Sequence, residues 1–476
     1  MYTRSLVTMF AAIILTASFS TAGEYYISPN GNNSTGNGSA TKPWASITKA
    51  IASVPDDGST IIAKDGLYVG AQSFARNFSI PCKVVAENPY KAQFSSPKDG
   101  NRVLYITNAS NIVLDGLEFF GSGSTKNDYL VQITTERSHS LTFQNCIFHD
   151  SYKNDLLKIN DSANYITFTG CVFFNQNNNP GDEHFDINGV NNIIIESSIF
   201  FNDYPGSGRP DENKSHSFIV IKNSGSTPDK TKNITLRKNI FMNWSGLGDQ
   251  AFILLGEDGK PFYEAINVLV ENNLFLHNSK VKIWSTLLYK GGLRDITTRA
   301  NTISGHPGIR GFGTYSAILL NVGQNPKIKD IDFSNNLFCD NTGQNTRFSS
   351  TNATTFVPNT LTFTNNLYWN KGKKFNSEKT DMFTPELDAK AIVADPTLPD
   401  VLENIVLPRF DQKTNRFISG NKTIREEFER IVNLYAVPGK NSAAIGKADK
   451  SKMPAEDILD NPRSSTPDIG CYETQK

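Results

Sequence analysis

Leu130-Val131-Gln132-Ile133, Leu156-Leu157-Lys158-Ile159, His184-Phe185-Asp186-Ile187 and Phe218-Ile219-Val220-Ile221 are copies of one pattern, spread over residues 128–222. In each, the second and fourth residues are apolar, the period of two of a half-buried strand. Each copy leads into a second strand that ends in an aromatic: Leu141 to Phe148, Ile166 to Phe173, Ile193 to Phe200 and Ile234 to Phe241. If the copies stack, outward residues of neighbouring copies lie about 4.8 Å apart. Lys158 then sits beside Asp186, and the polar residues preceding the strands fall into a column.

The repeat extends well beyond these four copies. Aligned second strands give one column of Leu117, Cys146, Cys171, Ser198, Asn239, Asn273, Asn301, Asn336 and Asn366, spaced 25 to 41 residues apart. Two residues on, the column reads Phe119, Phe148, Phe173, Phe200, Phe241, Phe275, Ile303, Phe338 and Tyr368. Buried asparagine amides can bond a turn backbone and one another from coil to coil, and stacked rings bury large apolar area. No helix fits between the strands, so the coils are expected to be all-β, with the variable spacing absorbed by loops.

The totals limit the function classes. The chain has 476 residues, with Lys+Arg and Asp+Glu both 47, so no net field points to nucleic acid or to a membrane surface. Residues 1–22 read as a secretory signal peptide: Arg4, an apolar run from Leu6 to Phe19, then Ser20-Thr21-Ala22. The expected location is therefore extracytoplasmic: secreted, periplasmic or at the cell surface, with no stable membrane insertion. Five cysteines make no disulfide framework; Cys146 and Cys171 share a repeat position and read as small buried residues, a bond between them being the alternative. The expected organisation is an N-terminal cap and first coils over 23–99, repeats over 100–370 and a C-terminal capping segment over 371–476. A short helix around Ile47, Ala50, Ile51 and Val54 is expected to cover the open end, and Thr423 to Val437 has helical spacing.

In alignment, one outer patch gathers Asp128, Asn154, Asp155, Asp182, Glu183, Asp186, Lys158, Lys222, His184 and His216, with Asn188 at its border. Carboxylates one coil apart repel unless something positive lies between them. Calcium suits such a cage, with Asp128, Asn154, Asp155, Asp182 and Glu183 as its oxygen ligands. A nearby basic side chain could then remove a proton, which is the equipment of a lyase acting on an acidic, uronate-containing polysaccharide by β-elimination. A lysine base needs a lowered pKa; a neighbouring cation supplies that and Asp186 opposes it, so His184 and Lys222 stand beside Lys158 as candidate bases. Asp186, Asn188 and His216 are expected to contact substrate. Gly256-Glu257-Asp258-Gly259-Lys260 looks like a second calcium loop but is too short to match an EF-hand.

The repeat columns, the Tyr25-Tyr26-Ile27-Ser28-Pro29-Asn30-Gly31 opening and the closing Pro467-Asp468-Ile469-Gly470-Cys471-Tyr472-Glu473 resemble the pectate-lyase-like superfamily over most of residues 24–370. That resemblance implies a single-stranded right-handed parallel β-helix. Asp155-Leu156-Leu157-Lys158, with Asn164 and Phe173, is similar to the strand carrying the acidic ligand and lysine base in the chondroitinase B and alginate lyase family. The similarity implies those roles for Asp155 and Lys158. That family also places an arginine about one coil on; here residues 178–182 hold none, and Arg209 is the nearest later candidate. The superfamily hosts several chemistries, so two other readings stand beside the lyase. One is a glycoside hydrolase using paired carboxylates among Asp155, Asp182, Glu183 and Asp186. The other is a non-catalytic carbohydrate-binding or surface protein. The chain is expected to act as a monomer.

Overall fold

One coil shows the plan. Val131–Thr134 runs into His139–Gln144, a two-residue turn leads to Ile147–His149, and the next coil begins at Leu157–Asn160. Each strand pairs in parallel with its counterpart one coil on: Val131 opposite Leu157, Leu141 opposite Ile166, Phe148 opposite Phe173. A computed structural model describes residues 22–475 apart from 97–101, 123–128, 178–180, 211–214, 245–249, 279, 282, 306–314, 345–347, 353–354, 358 and 376–384. The expected leader falls outside the described residues but for Ala22, and Asp128 falls outside them too.

The described strands build three long parallel sheets. The first has 12 strands, from Glu24–Ile27 to Leu361–Thr364; the second has 10, from Gln72–Phe74 to Ser349–Thr351; the third has 12, from Gly66–Val69 to Ile392–Val393. The expected all-β parallel helix is thus the fold. Inward residues from all three sheets meet in one continuous apolar core.

The two columns read from the sequence line that core. Phe119, Phe148, Phe173, Phe200, Phe241 and Phe275 stack with ring centroids 4.8–5.3 Å apart. Beside them, each buried Asn accepts from the coil before and donates onward. Asn301 Oδ1 accepts from the Asn273 backbone N–H and side-chain amide, both at 2.9 Å, while its own Nδ2 donates to Val270 O and Asn336 Oδ1. The residue before each ladder position is left-handed, as at Asn145 (φ 50°), Gly170 (φ 62°) and Asn335 (φ 55°), which turns the chain sharply from the first sheet into the third. Cys146 and Cys171 are both buried free thiols.

Helix α1 (Ile47–Ser53) starts at Ser46, whose side chain accepts from the Lys49 N–H, and buries Ile47, Ala50 and Ile51 over the first coil. Helix α2 (Ile424–Tyr435) starts in a capping box formed by Thr423 and Glu426. It does not sit at the end of the solenoid. Ile424, Phe428, Ile431 and Val432 pack on outward residues of the third sheet, including Ile147, Val172, Ile199 and Ile240.

Replacing Asn301 by Ala removes four hydrogen bonds inside the core: those from the Asn273 backbone N–H and side-chain amide, and those to the Val270 carbonyl and Asn336 Oδ1. Denaturant unfolding is expected to show a loss of about 3 kcal/mol or more, since each buried unsatisfied group costs roughly 1–3 kcal/mol. A change within about 0.5 kcal/mol would mean the ladder does not hold the coils together.

Candidate functional site

The second sheet positions the site. Its outward row runs Tyr105, Gln132, Lys158, Asp186 and Val220, each directly opposite the next. Two residues further along, Asn160, Asn188 and Lys222 form the next outward row. Asp155 and Glu183 precede their strands and are tied together, the Glu183 N–H donating to Asp155 Oδ1 at 2.9 Å.

These rows bring together a buried cluster of opposite charges. Lys158 Nζ donates to Asp186 Oδ2, and Lys222 Nζ approaches the same oxygen at 3.7 Å. Lys222 Nζ also donates to Glu257 Oε2 at 2.6 Å. His216 lies between two carboxylates, with Nδ1 3.0 Å from Glu183 Oε1 and Nε2 3.2 Å from Glu257 Oε1. The first of these is an ionic approach outside hydrogen-bond alignment.

Each charge is tuned by the others. Burial and then the neighbouring Glu183 push the Asp155 carboxyl well above the usual carboxylate range. Burial pulls the Lys158 ammonium below the ordinary lysine value; Asp155 works against this and Lys222 reinforces it. Burial would lower Lys222 as well, but Glu183 and Glu257 outweigh it and raise that lysine above its ordinary value. Burial likewise opposes charge on His216, yet Glu183 and Glu257 raise it to about 9. Burial raises Glu257, and His216 and Lys222 more than offset it, bringing it to about 2. So the sequence expectation that Asp186 would keep Lys158 high is overridden by burial and by the second lysine.

Two groups of ligand atoms are close enough to hold a metal ion, each lying within 4.8 Å: Asp155, Glu183 and Asp186, and Glu183, His216 and Glu257. The first fits a hard cation. It is all oxygen, Asp186 Oδ1 is buried with no hydrogen-bond partner, and Asp155 is strained toward holding a proton. A charged His216 makes the second group a poor ligand set.

Other expected residues stand apart. His184 does not face outward. Leu156 with Leu157, and Phe218 with Ile219, are consecutive residues that both point into the core, so the chain turns a corner at this place. His184 follows them inside, stacked 4.1 Å from the Phe218 ring with Nε2 on Asn202 Oδ1 at 3.0 Å. Burial lowers it to about 3, leaving a neutral core imidazole without access to substrate. Arg209 lies in a different network: Nη1 donates to Asp150 Oδ1 at 3.3 Å, and Asp150 and Glu118 flank His149. Asp182 Oδ2 accepts from Asn177 at 2.6 Å, and Asn188 exchanges hydrogen bonds with Ser224. Asn154 is half-buried, and its backbone carbonyl accepts from the Ser151 hydroxyl.

Glu257 is the member the sequence assigned elsewhere. Its loop is not built to hold a cation. The N–H groups of Glu257, Asp258, Gly259 and Lys260 all donate to the buried Glu264 carboxylate, at 2.8–3.2 Å. That cradle fixes the loop around an anion and aims Glu257 at Lys222 and His216. An acidic side chain at 264, seven residues after Glu257 and just before a strand, is the only trace of this in the sequence.

No family model matches the chain, and no curated protein matches it in sequence. Solved structures are similar to it, and the first of these shows the fold. Pectate lyase Pel9A superposes with a TM-score of 0.56 at 16% identity, covering 96% of this chain and 98% of that one. A rhamnogalacturonan lyase gives 0.48 at 14% identity, covering 72% and 87%. A PL6 family polysaccharide lyase from Pseudopedobacter saltans gives 0.46 at 15% identity, covering 74% and 93%. The chain has the pectate-lyase-like parallel β-helix fold.

His216 is expected to stay protonated through neutral pH and to lose its proton near about 9, read by NMR titration of the ring. Because its folded value lies above the unfolded 6.5, the stabilisation it contributes is full below about pH 6.5 and disappears as pH rises through about 9. The stability gap between the native chain and His216→Gln should close over that window. A ring that titrates near its ordinary value would remove His216 from the charge cluster.

Proposed function

We propose that the chain is a secreted, monomeric polysaccharide lyase that cleaves an acidic, uronate-containing polymer by calcium-assisted β-elimination at the Lys158–Asp186 cluster. The observation that carries this reading is geometric: the Lys158 amine lies in the outward row against Asp186, beside the oxygen cluster of Asp155, Glu183 and Asp186, and burial lowers it from the ordinary lysine value. Lys158 is therefore favoured over Lys222, which Glu183 and Glu257 hold charged.

Lys158 Nζ takes the C5 proton of a uronate unit. The electron pair of that C–H bond forms the C4–C5 double bond, the bond from C4 to the glycosidic oxygen breaks, and the departing oxygen takes a proton from solvent. Lys222 stays an ammonium near the developing carboxylate charge, and its field keeps Lys158 neutral more of the time. Asp155, Glu183 and Asp186 would hold calcium, which supplies neutralisation of the sugar carboxylate and acidification of the C5 proton. Asp128, expected as a further ligand, is outside the described residues, and Asn154 and Asp182 are supporting polar groups in this reading. In this reading Glu257 helps hold Lys222 charged, and His216 lies between Glu183 and Glu257 rather than meeting the reacting carbon.

One observation favours a hydrolase as the second reading. Burial and the neighbouring Glu183 raise the Asp155 carboxyl well above the usual carboxylate range, the direction a general acid requires. Their nearest oxygens lie within 4.8 Å, well under the roughly 6.5–9.5 Å of an inverting pair, so that reading calls for a retaining mechanism.

The test is ultraviolet absorbance of unsaturated uronate on pectate, alginate, glycosaminoglycans and ulvan, with calcium and then with chelator. A calcium-dependent rise on one polymer is expected, growing with pH as Lys158 loses its proton. Lys158→Ala should lower that rate about 100-fold or more while the melting temperature holds. Full activity of Lys158→Ala would overturn its role. Reducing ends released without new absorbance would establish the hydrolase instead. A second prediction needs no substrate. Calorimetric calcium titration should release protons, because a bound cation opposes the upward shift that burial gives Asp155. Calcium binding with no proton release, compared in buffers of different ionisation heat, would place the cation elsewhere.

A further inference from the structure

Over the two coils before Lys158 the outer surface changes from a charge cluster to a cation held on aromatic rings. The Arg102 guanidinium lies over the Tyr105 ring at 4.9 Å and the Tyr129 ring at 5.7 Å. Its Nε donates to Gln132 Oε1, and Gln132 Nε2 donates in turn to Asn160 Oδ1 at 3.1 Å. Asn160 is itself tied to Asp161 at 2.8 Å. The guanidinium is thus fixed in plane by two rings and by one edge. Among the described residues no carboxylate pairs with Arg102, although paired acidic groups surround both lysines a few ångströms away. Its two terminal nitrogens have no protein partner there, and the residue is only half-buried.

A bulk-exposed arginine normally wanders; this one is held, and among the described residues no group uses its carboxylate-binding edge. Tyr129 links it to the reacting cluster, since Lys158 Nζ sits 5.9 Å from the same ring. Tyr105, Gln132 and Lys158 are successive members of one outward row, so Tyr105 and Lys158 are two coils, about 10 Å, apart. A ligand lying along the sheet would reach both.

The geometry points to Arg102, Tyr105, Tyr129 and Gln132 as a subsite for a second carboxylated sugar unit. Arg102 takes its carboxylate through two parallel N–H bonds, and the tyrosine rings carry the sugar's C–H face. The assignment rests on the lyase reading above and deepens it. The substrate is then a polymer with carboxylates on more than one nearby unit, and a chain with a single isolated uronate lacks half of the recognition. Arg102 binds substrate and takes no part in proton transfer.

Affinity electrophoresis tests this without turnover. Native gels would contain polygalacturonate or alginate, each beside the same polymer after carboxyl reduction. The proteins are the native chain, Arg102→Ala, Arg102→Lys and Tyr105→Ala, each checked for an unchanged melting temperature and each repeated in the Lys158→Ala background. At least one charged polymer should retard the native chain, and its reduced form should not. Arg102→Ala should weaken that binding about tenfold or more, the loss expected for a charge-assisted pair, and Arg102→Lys should recover only part of it. Equal retardation of native and Arg102→Ala chains, equal retardation by the reduced polymer, or no retardation at all would overturn the subsite. Arg102-dependent retardation with no unsaturated product would keep the subsite and reject the lyase. Product formation with Arg102-independent binding would do the reverse.

Discussion

Each coil hydrogen-bonds its backbone to the coil before it and the coil after it, and that parallel register governs everything else in the molecule. It sets a fixed step of about 4.8 Å between equivalent side chains. Inside, the step suits identical groups: rings lie at stacking distance and amides lie at bonding distance, so Phe and Asn repeat. Outside, the same step is hostile to like charges. Asp155 and Glu183 are forced into contact, and the register puts Lys158 against Asp186 and Lys222 against Asn188. The cluster is the result of placing opposite charges on a lattice too fine to separate them.

Such a cluster adds little to stability. Four carboxylates and three basic groups, nearly all withdrawn from water, lose hydration that their mutual attraction only partly restores. Apolar residues occupy the same outward row only one coil further on, where Val220, Leu254, Leu288 and Ile318 bury well. The fold therefore tolerates an apolar row on this face, and the charges are local to a few coils. Neighbouring charges, more than burial alone, split the two lysines: one keeps its proton firmly and the other gives it up more easily.

The fold was legible because both of its signals repeat. The period of two marked the strands, and the Asn and Phe columns gave the coil-to-coil alignment directly. Lys158 beside Asp186 followed from that alignment and stands opposite it in the structure. His184 was misread as outward because alternation was carried one residue too far. Alternation holds within a strand and fails at the corner preceding it, where Leu156-Leu157 and Phe218-Ile219 both turn inward. Glu257 was seen as part of another site because the loop's acidic composition said nothing of the Glu264 carboxylate that its backbone surrounds. Arg209 followed from analogy alone, and the turn after Phe201 takes it to Asp150. Arg102 lies in the same column before the strands as Asp155 and Glu183, but one coil ahead of the first copy that was aligned.

Helix α2 has a consequence for how the molecule is made. Its first backbone N–H is held by the Tyr90 hydroxyl at 3.1 Å, across 334 residues of sequence, and its apolar face covers the outer side of coils built much earlier. A solenoid can assemble in order, coil upon coil, as the chain emerges. This one cannot finish in order. Ile147, Val172, Ile199 and Ile240 form an apolar stripe that stays wet until the last tenth or so of the chain arrives. Synthesis thus exposes a sticky intermediate, and the C-terminal segment acts as a seam along several coils rather than a lid on the final turn.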